Sequence, residues 1–173
     1  MPRGGKPAGA PWRRTGVTRY AFLTSWLLDA PVEPVWDAIY DTDAWPEWWP
    51  GVRRVEELVP RGPDGVGGLS RFTFRSVLPY DLVFEMRSVR VERHRLLEGI
   101  ASGELVGTGR WRFFVQEGAT AVTYEWDVET TARWMNLLAP IARPAFAWNH
   151  DRVMRAGGEG LAARVGARLL GSA

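Results

Sequence analysis

The chain has 173 residues, of which 46% are hydrophobic, so it is long enough and apolar enough to fold as one domain with its own core. It has no cysteine and only two histidines, which excludes a disulfide framework and a cysteine nucleophile and leads us to expect no metal and no cofactor. No run of eighteen apolar residues occurs, so we expect no stable insertion into a membrane.

The basic residues are unevenly distributed along the chain. There are 22 basic and 20 acidic residues, but five of the basic ones lie within the first nineteen positions, which contain no acid. The rest of the chain is therefore mildly acidic, and we expect no nucleic-acid partner. Residues 1–17 are rich in glycine, proline and arginine and lack an apolar signal segment, which predicts a flexible basic tail on a cytoplasmic protein.

A strand and two short helices are predicted to open the domain. Aromatic and β-branched residues alternate with others over residues 18–29, which is typical of a strand with one buried face. Pro34 suits an early helical position, and a short helix is predicted over residues 35–40. A second short helix over residues 45–49 is expected to end at Pro50.

An antiparallel meander is predicted next, because strand-like segments follow one another between turn signals. The segments cover residues 52–60, 69–77, 82–91, 96–106, 110–116 and 121–131, and one of the turns is placed at residues 107–109. Helical periodicity returns in a proline-broken stretch over residues 134–144 and a long helix over about residues 145–170. This order predicts an α+β fold, in which a curved antiparallel sheet of about seven strands wraps around the last helix. One helix cannot fill the concave side of such a sheet, so we expect a cavity between them.

The last predicted helix carries a histidine within its apolar face. On a helical projection His150 falls on the same side as a group of apolar and small residues, namely Phe146, Val153, Met154, Gly157 and Leu161. An imidazole there could act as an acid, a base or a hydrogen-bond donor to a ligand oxygen. The alternative is a structural histidine whose hydrogen bonds are satisfied by neighbouring protein groups.

The last two predicted strands present aromatic side chains to the same space. Four of them share inward faces, namely Trp111, Phe113, Tyr124 and Trp126. The preceding strand offers small residues there, including Gly99 and Ala101, so a ligand could lie opposite them. The Tyr124 hydroxyl could hold a ligand oxygen together with His150 and Asn149. The alternative is that Trp111 and Trp126 fill the space themselves.

Two segments of the chain resemble a known family. Residues 30–36 (APVEPVW) lead into residues 45–52 (WPEWWPGV), and residues 148–151 read WNHD. In these segments the chain resembles the START-like, or SRPBCC, superfamily of helix-grip proteins, which includes Bet v 1-like proteins and the polyketide cyclase/dehydrase and lipid-transport group of bacteria. The likeness covers residues 18–170, which implies one helix-grip domain over that range, a short end at residues 171–173, and a hydrophobic ligand cavity.

Three functional hypotheses remain open. The first is binding of a small hydrophobic, oxygenated molecule (a polyketide, an aromatic compound or a lipid) between the last helix and the sheet. The second is a cofactor-independent polyketide cyclase or dehydratase that uses the same cavity, and the third is an adaptor that binds another protein. Both a monomer and a dimer are compatible with the sequence.

The expected site draws on the last helix and three strands. His150 and Tyr124 are the candidates for catalytic roles. The expected ligand-binding residues are Gly99, Ala101, Trp111, Phe113, Trp126, Asn149, Val153, Met154 and Gly157.

Overall fold

The computed structural model of the protein describes the backbone of residues 18–75, 81–131 and 133–173, and their side chains except at residues 18, 133–143, 145 and 146. The described strands are β1 (Thr18–Leu28), β2 (Val52–Val59), β3 (Leu69–Arg75), β4 (Asp81–Glu92), β5 (Leu96–Gly103), β6 (Leu105–Gln116), β7 (Ala119–Thr130) and β8 (Leu169–Ser172). The described helices are α1 (Val32–Tyr40), α2 (Trp45–Trp48) and α3 (Arg133–Arg164), with a short 3₁₀ turn over Thr42–Ala44. The predicted tail, residues 1–17, lies outside the described residues, as do residues 76 and 77 of the predicted second meander strand.

The strands form one antiparallel sheet in the order β2-β3-β4-β5-β6-β7-β1-β8. The meander from β2 to β7 is continuous, and β1 closes it by pairing with β7 from Thr18 opposite Thr130 to Leu28 opposite Thr120. Helices α1 and α2 connect β1 to β2 across the concave side, and α3 lies against β1 and α2. The predicted α+β helix-grip fold is confirmed, with eight described strands where about seven were expected.

The tryptophans form much of the core between these layers. Trp26 is 1% exposed and Trp49 is 2% exposed, and their rings meet edge to face with centroids 5.7 Å apart. Trp45 and Trp111 also pack against Trp49, at centroid distances of 5.0 and 6.3 Å. Large aromatic side chains bury much apolar surface each, so this cluster contributes strongly to the free energy of folding.

The outer face of the sheet carries ion pairs, as its alternation of charged residues suggests. Arg110 reaches Glu98 at 3.1 Å and Glu125 at 3.0 Å, and Arg112 reaches Glu125 at 3.2 Å. Arg71 pairs with Glu85 at 2.8 Å. Such partly exposed pairs keep charge out of the concave side and add little to stability individually.

The last helix differs from its predicted extent at both ends. It begins at Arg133 and continues through Pro144, where a break was expected. Pro144 is exposed, so the carbonyl group that loses its amide partner there can bind water instead. The helix ends at Arg164 because Gly166 adopts a left-handed φ of 67°, and the Ala167 amide then bonds to the Ala162 carbonyl.

Two strand predictions are wrong for related reasons. Residues 169 and 170 were expected to end the helix and residues 171–173 to form a short end, but residues 169–172 form β8, which pairs with the edge of β1. The turn expected at residues 107–109 lies inside β6, and the chain instead reverses around Gly103, whose φ is 100°. The glycines within β6 serve close packing: a side chain at Gly109 would lie 2.7 Å from the Tyr124 hydroxyl and 2.8 Å from the Trp126 ring.

Candidate functional site

A cavity of about 230 Å³ lies between α3 and the concave face of the sheet. Its walls are mainly aromatic, and the rings come from β1, α1, α2 and the residue after it, β3, β4, β6 and β7: Tyr20, Phe22, Tyr40, Trp45, Trp49, Phe72, Phe74, Phe84, Trp111, Tyr124 and Trp126. The alternation that turns the rings of β1, β6 and β7 inward was visible in the sequence. The tryptophans therefore line the space without filling it.

One wall is a stack of three rings on the last two strands of the meander. Trp111 and Tyr124 are cross-strand partners, and their rings stack with centroids 4.1 Å apart and planes 24° apart. Trp126 follows at 5.7 Å and 22° from Tyr124. Gly109, opposite Trp126, leaves room for the Tyr124 and Trp126 side chains. The result is a continuous aromatic wall of the kind that suits an apolar ligand.

His150 projects from α3 toward this space and contacts β1. Its ring stacks on Phe22 with centroids 4.0 Å apart and planes 13° apart, and its Nε2 lies 3.4 Å from Thr24 Oγ1. Burial lowers the pKa of His150 to about 4, although the neighbouring Asp151 carboxylate acts in the opposite direction. The imidazole is therefore neutral near pH 7 and can donate one hydrogen bond and accept another.

Tyr124 supplies a second polar group to the same wall. Burial raises the pKa of its phenol well above the ordinary value, so the hydroxyl stays protonated. Its hydroxyl makes no hydrogen bond to another of the described residues, and it lies in the wall of the cavity. Thr24 is the cross-strand partner of Tyr124, so His150 and Tyr124 approach the same part of the cavity from the helix and from the sheet.

Most of the expected ligand-binding residues line the cavity together. They are Gly99, Trp111, Trp126, Asn149, Val153 and Met154, beside His150 and Tyr124. The periodicities of α3 and of β5 to β7 were enough to find them.

Three expected residues lie elsewhere, and each correction has a packing reason. Phe113 contacts Trp36 of α1 at a centroid distance of 4.9 Å, because α1 covers that end of β6. Ala101 is 1% exposed and lies in the core. Gly157 faces Trp49, whose ring atoms would lie 2.5 Å from an added Cβ atom, so it permits close packing of α3 and gives no room to a ligand.

The cavity also has a polar end that the sequence did not reveal. Arg61, in the loop between β2 and β3, lies there together with Tyr40, Thr42 and Ser70. The Arg61 guanidinium donates to the Tyr40 carbonyl oxygen at 2.7 Å and to Thr42 Oγ1 at 2.9 Å, and it stacks over the Tyr40 ring at 4.4 Å. A loop arginine has no periodic signal, so only the folded loop places it beside α1.

The fold and the cavity between the last helix and the sheet define a START-like helix-grip protein. Residues 22–166 match the family described as polyketide cyclase/dehydrase and lipid transport, and the chain belongs to that family. The resemblance noted in the sequence is thus confirmed. A comparison with curated protein sequences finds no match.

Solved structures show the same fold at low sequence identity. An aromatase/cyclase from a Streptomyces species, ZhuI, has a TM-score of 0.70 and 17% identity, with 86% of this chain and 94% of that chain covered. The di-domain aromatase/cyclase BexL has a TM-score of 0.67 and 21% identity over 87% of this chain and 51% of that chain. A START superfamily protein from Mycobacterium smegmatis has a TM-score of 0.64 and 16% identity over 87% of this chain and 97% of that chain.

Within the described ranges, no group of three or more acidic or histidine side chains could hold a metal ion. No helix in that part of the chain is both long and apolar enough to span a bilayer.

Proposed function

We propose that this protein binds a small, mostly apolar, oxygenated molecule, such as a polyketide, an aromatic compound or a lipid, in the cavity between α3 and the sheet. The observation that carries the proposal is the combination of aromatic walls with a few inward polar groups. Apolar walls supply most of the binding free energy, and a few hydrogen-bonding groups orient the ligand. His150 and Tyr124 provide these groups, since both are neutral at pH 7 and neither forms an ion pair with the described residues.

Family membership supports the proposal, because the family combines polyketide cyclases, dehydrases and lipid-transport proteins. A function in ligand binding or polyketide processing is common to these members. The helix and strand residues that form the cavity lie within the matched range of residues 22–166, apart from Tyr20 of β1.

The second candidate function is catalysis by the same cavity. Two structures with this fold are described as aromatase/cyclases, which favours a cyclase or dehydratase. Neutral His150 could remove a proton from a carbon next to a ketone, and the Tyr124 hydroxyl could donate a hydrogen bond to the ketone oxygen. Attack of the resulting enolate on a second carbonyl of the same chain, followed by loss of water, would close a ring without a cofactor.

A cavity-filling variant with a matched surface control tests the binding function. Leu97 lines the cavity, whereas Leu23 lies on the outer face of β1 and is 68% exposed. We expect Leu97→Trp to weaken the binding of acetonaphthone, a neutral aromatic ketone, by at least about tenfold, the equivalent of about 1.4 kcal/mol. Leu23→Trp should bind it as the parent does.

Isothermal titration calorimetry measures this binding directly, and native mass spectrometry of the purified protein would reveal a co-purified ligand. Binding by the parent that is equally strong in Leu97→Trp would place the ligand outside the cavity. Absence of binding to the parent would contradict the proposed function. Turnover of a linear poly-β-ketone in the parent, lost in His150→Asn, would favour the enzyme over the carrier.

A further inference from the structure

We propose that Arg61 anchors the carboxylate group of the ligand at the polar end of the cavity, so that the preferred ligands are aromatic or aliphatic carboxylic acids. This inference rests on the proposed function, because it assumes that a ligand occupies the cavity. It specifies the charge of that ligand and its orientation in the cavity.

The first observation is a cation in the cavity wall that lacks a carboxylate partner. Arg61 is half-buried and forms no ion pair with an Asp or Glu of the described residues, whereas Arg71, Arg110 and Arg112 on the outer sheet face do. Arg75, at the other end of β3, also lines the cavity, but it is exposed to solvent. Glu98 also lines the cavity, but both oxygens of its carboxylate are bound by Arg110 on the outer face of the sheet, at 3.1 Å. A positive charge without a partner beside apolar walls favours an anionic group of the ligand.

The second observation is that Arg61 is held in place with donors to spare. Its two hydrogen bonds, to the Tyr40 carbonyl and to Thr42, use two of the five N–H groups of a guanidinium. The absence of a side chain at Gly68 leaves space for the methylene groups of Arg61, because a Cβ atom at Gly68 would overlap Arg61 Cγ. A cation fixed in this way loses little conformational entropy when it binds an anion.

The third observation is a buried hydroxyl group at the same end. Ser70, at the start of β3, is 9% exposed and lines the cavity, and its hydroxyl makes no hydrogen bond with another of the described residues. Its hydroxyl can donate to an oxygen of the same ligand group. One guanidinium and one hydroxyl match a singly charged carboxylate better than a phosphate, which carries more charge and more acceptor oxygens.

The geometry also orients the ligand. Ser70 lies near one end of β3, and Arg75 ends that strand about 16 Å further along at about 3.3 Å per residue. Between them, Phe72 and Phe74 turn their rings into the cavity. A carboxylate on Arg61 would therefore place the apolar body of the ligand along the aromatic walls, toward His150 and Tyr124.

The test compares an acid with its neutral ester. Naphthylacetic acid and methyl naphthylacetate share the aromatic body and differ in charge, and calorimetry at pH 7.5 gives the affinity of each. We expect the parent to bind the acid more tightly than the ester. Arg61→Gln should lower the affinity for the acid by at least about tenfold and change the affinity for the ester by less than about twofold. Arg155→Gln, an equal loss of charge at an exposed position of α3, should bind both probes as the parent does.

Two further variants separate recognition from a structural role of Arg61. Arg61→Lys keeps the charge and should retain part of the preference for the acid. Ser70→Ala should lower the affinity for the acid and leave the affinity for the ester unchanged. An equal loss of affinity for the acid and for the ester in Arg61→Gln would overturn the proposal, because Arg61 would then only hold the loop against α1. Equal affinity of the parent for acid and ester would overturn the anionic anchor alone, whereas binding of neither would overturn the proposed function as well.

Discussion

At the scale of single residues, the chemistry of the cavity depends on burial more than on charge. His150 and Tyr124 have no charged partner in the cavity wall, and burial acts on both pKa values in the direction that keeps the group neutral. Neutral hydrogen-bonding groups can orient ketones and hydroxyls without the desolvation cost of an ion. The only cation of the polar end, within the described residues, is Arg61.

The lowered pKa of His150 predicts a pH dependence of stability. The pKa is about 4 in the folded protein and near 6.5 in an unfolded chain, so the unfolded chain binds the proton more readily. The stabilising effect of neutral His150 is therefore complete above about pH 6.5 and is lost as the pH falls toward 4. We expect the free energy of unfolding to fall by about 1–2 kcal/mol between pH 7 and pH 5 from this group alone.

Urea denaturation of the parent, His150→Asn and His94→Asn at both pH values measures this contribution. His150→Asn should lose that part of the pH dependence, because it has no imidazole to protonate. His94→Asn is the matched control: His94 lies outside the cavity wall at a φ of 60°, where asparagine is tolerated. The same pH dependence in His150→Asn as in the parent would show that His150 is hydrated when folded.

At the scale of elements, the last helix contains a run of glycines that brings it close to the tryptophans. Added Cβ atoms at Gly157 and Gly158 would lie 2.5 Å from Trp49 and 2.9 Å from Trp26, and one at Gly160 would overlap the Trp48 carbonyl oxygen. Glycine costs about 1 kcal/mol relative to alanine inside a helix. Close packing with the bulky indoles and with the α2 backbone offsets that cost.

This packing predicts that an alanine in place of Gly160 lowers the stability of the protein, whereas helix propensity alone predicts that it raises the stability. Gly160→Ala should lower the free energy of unfolding by about 1–3 kcal/mol, because the Trp48 carbonyl belongs to the backbone and can move only with α2. Gly171→Ala is the control, since an added Cβ atom there meets nothing within 4 Å. Thermal denaturation followed by circular dichroism measures both. A Gly160→Ala variant more stable than the parent would mean that propensity outweighs packing at this contact.

Elements with strong periodicity could be predicted from the sequence, and those defined by partners could not. Alternation over β7 placed Tyr124 and Trp126 inward, and the apolar face of α3 included His150 and Met154. The glycines of β6 were interpreted as a turn because their packing against Tyr124 depends on a partner strand. β8 was missed for a similar reason: four residues carry little signal, and pairing with β1 determines their conformation.

At the scale of the whole molecule, α3 contacts the rest of the fold closely near its C-terminal end and lines a cavity near its middle. Its later residues, from Gly157 to Leu161, pack on β1 and α2, and Leu161 is fully buried. Its earlier residues Asn149, His150 and Val153 line the cavity. Stability and ligand binding thus depend on different segments of the same helix, and changes in one segment should affect one property more than the other.

Removal of residues 167–173 tests this separation. Leu169 packs against the core near Gly158. The Asp29 amide donates to the Arg168 carbonyl at 3.0 Å, and Ser25 and Ala173 exchange two backbone hydrogen bonds of 2.7 and 3.0 Å. Loss of this burial and of these bonds should lower the free energy of unfolding by about 2–5 kcal/mol. None of the removed residues lines the cavity, so the folded fraction should bind acetonaphthone within about twofold of the parent, as measured by calorimetry below the unfolding transition. Leu97→Trp should show the reverse, with binding lost and stability less affected. The truncated protein could instead be folded by circular dichroism and no longer bind acetonaphthone. In that case β8 would shape the cavity through β1, and the two segments of α3 would be coupled.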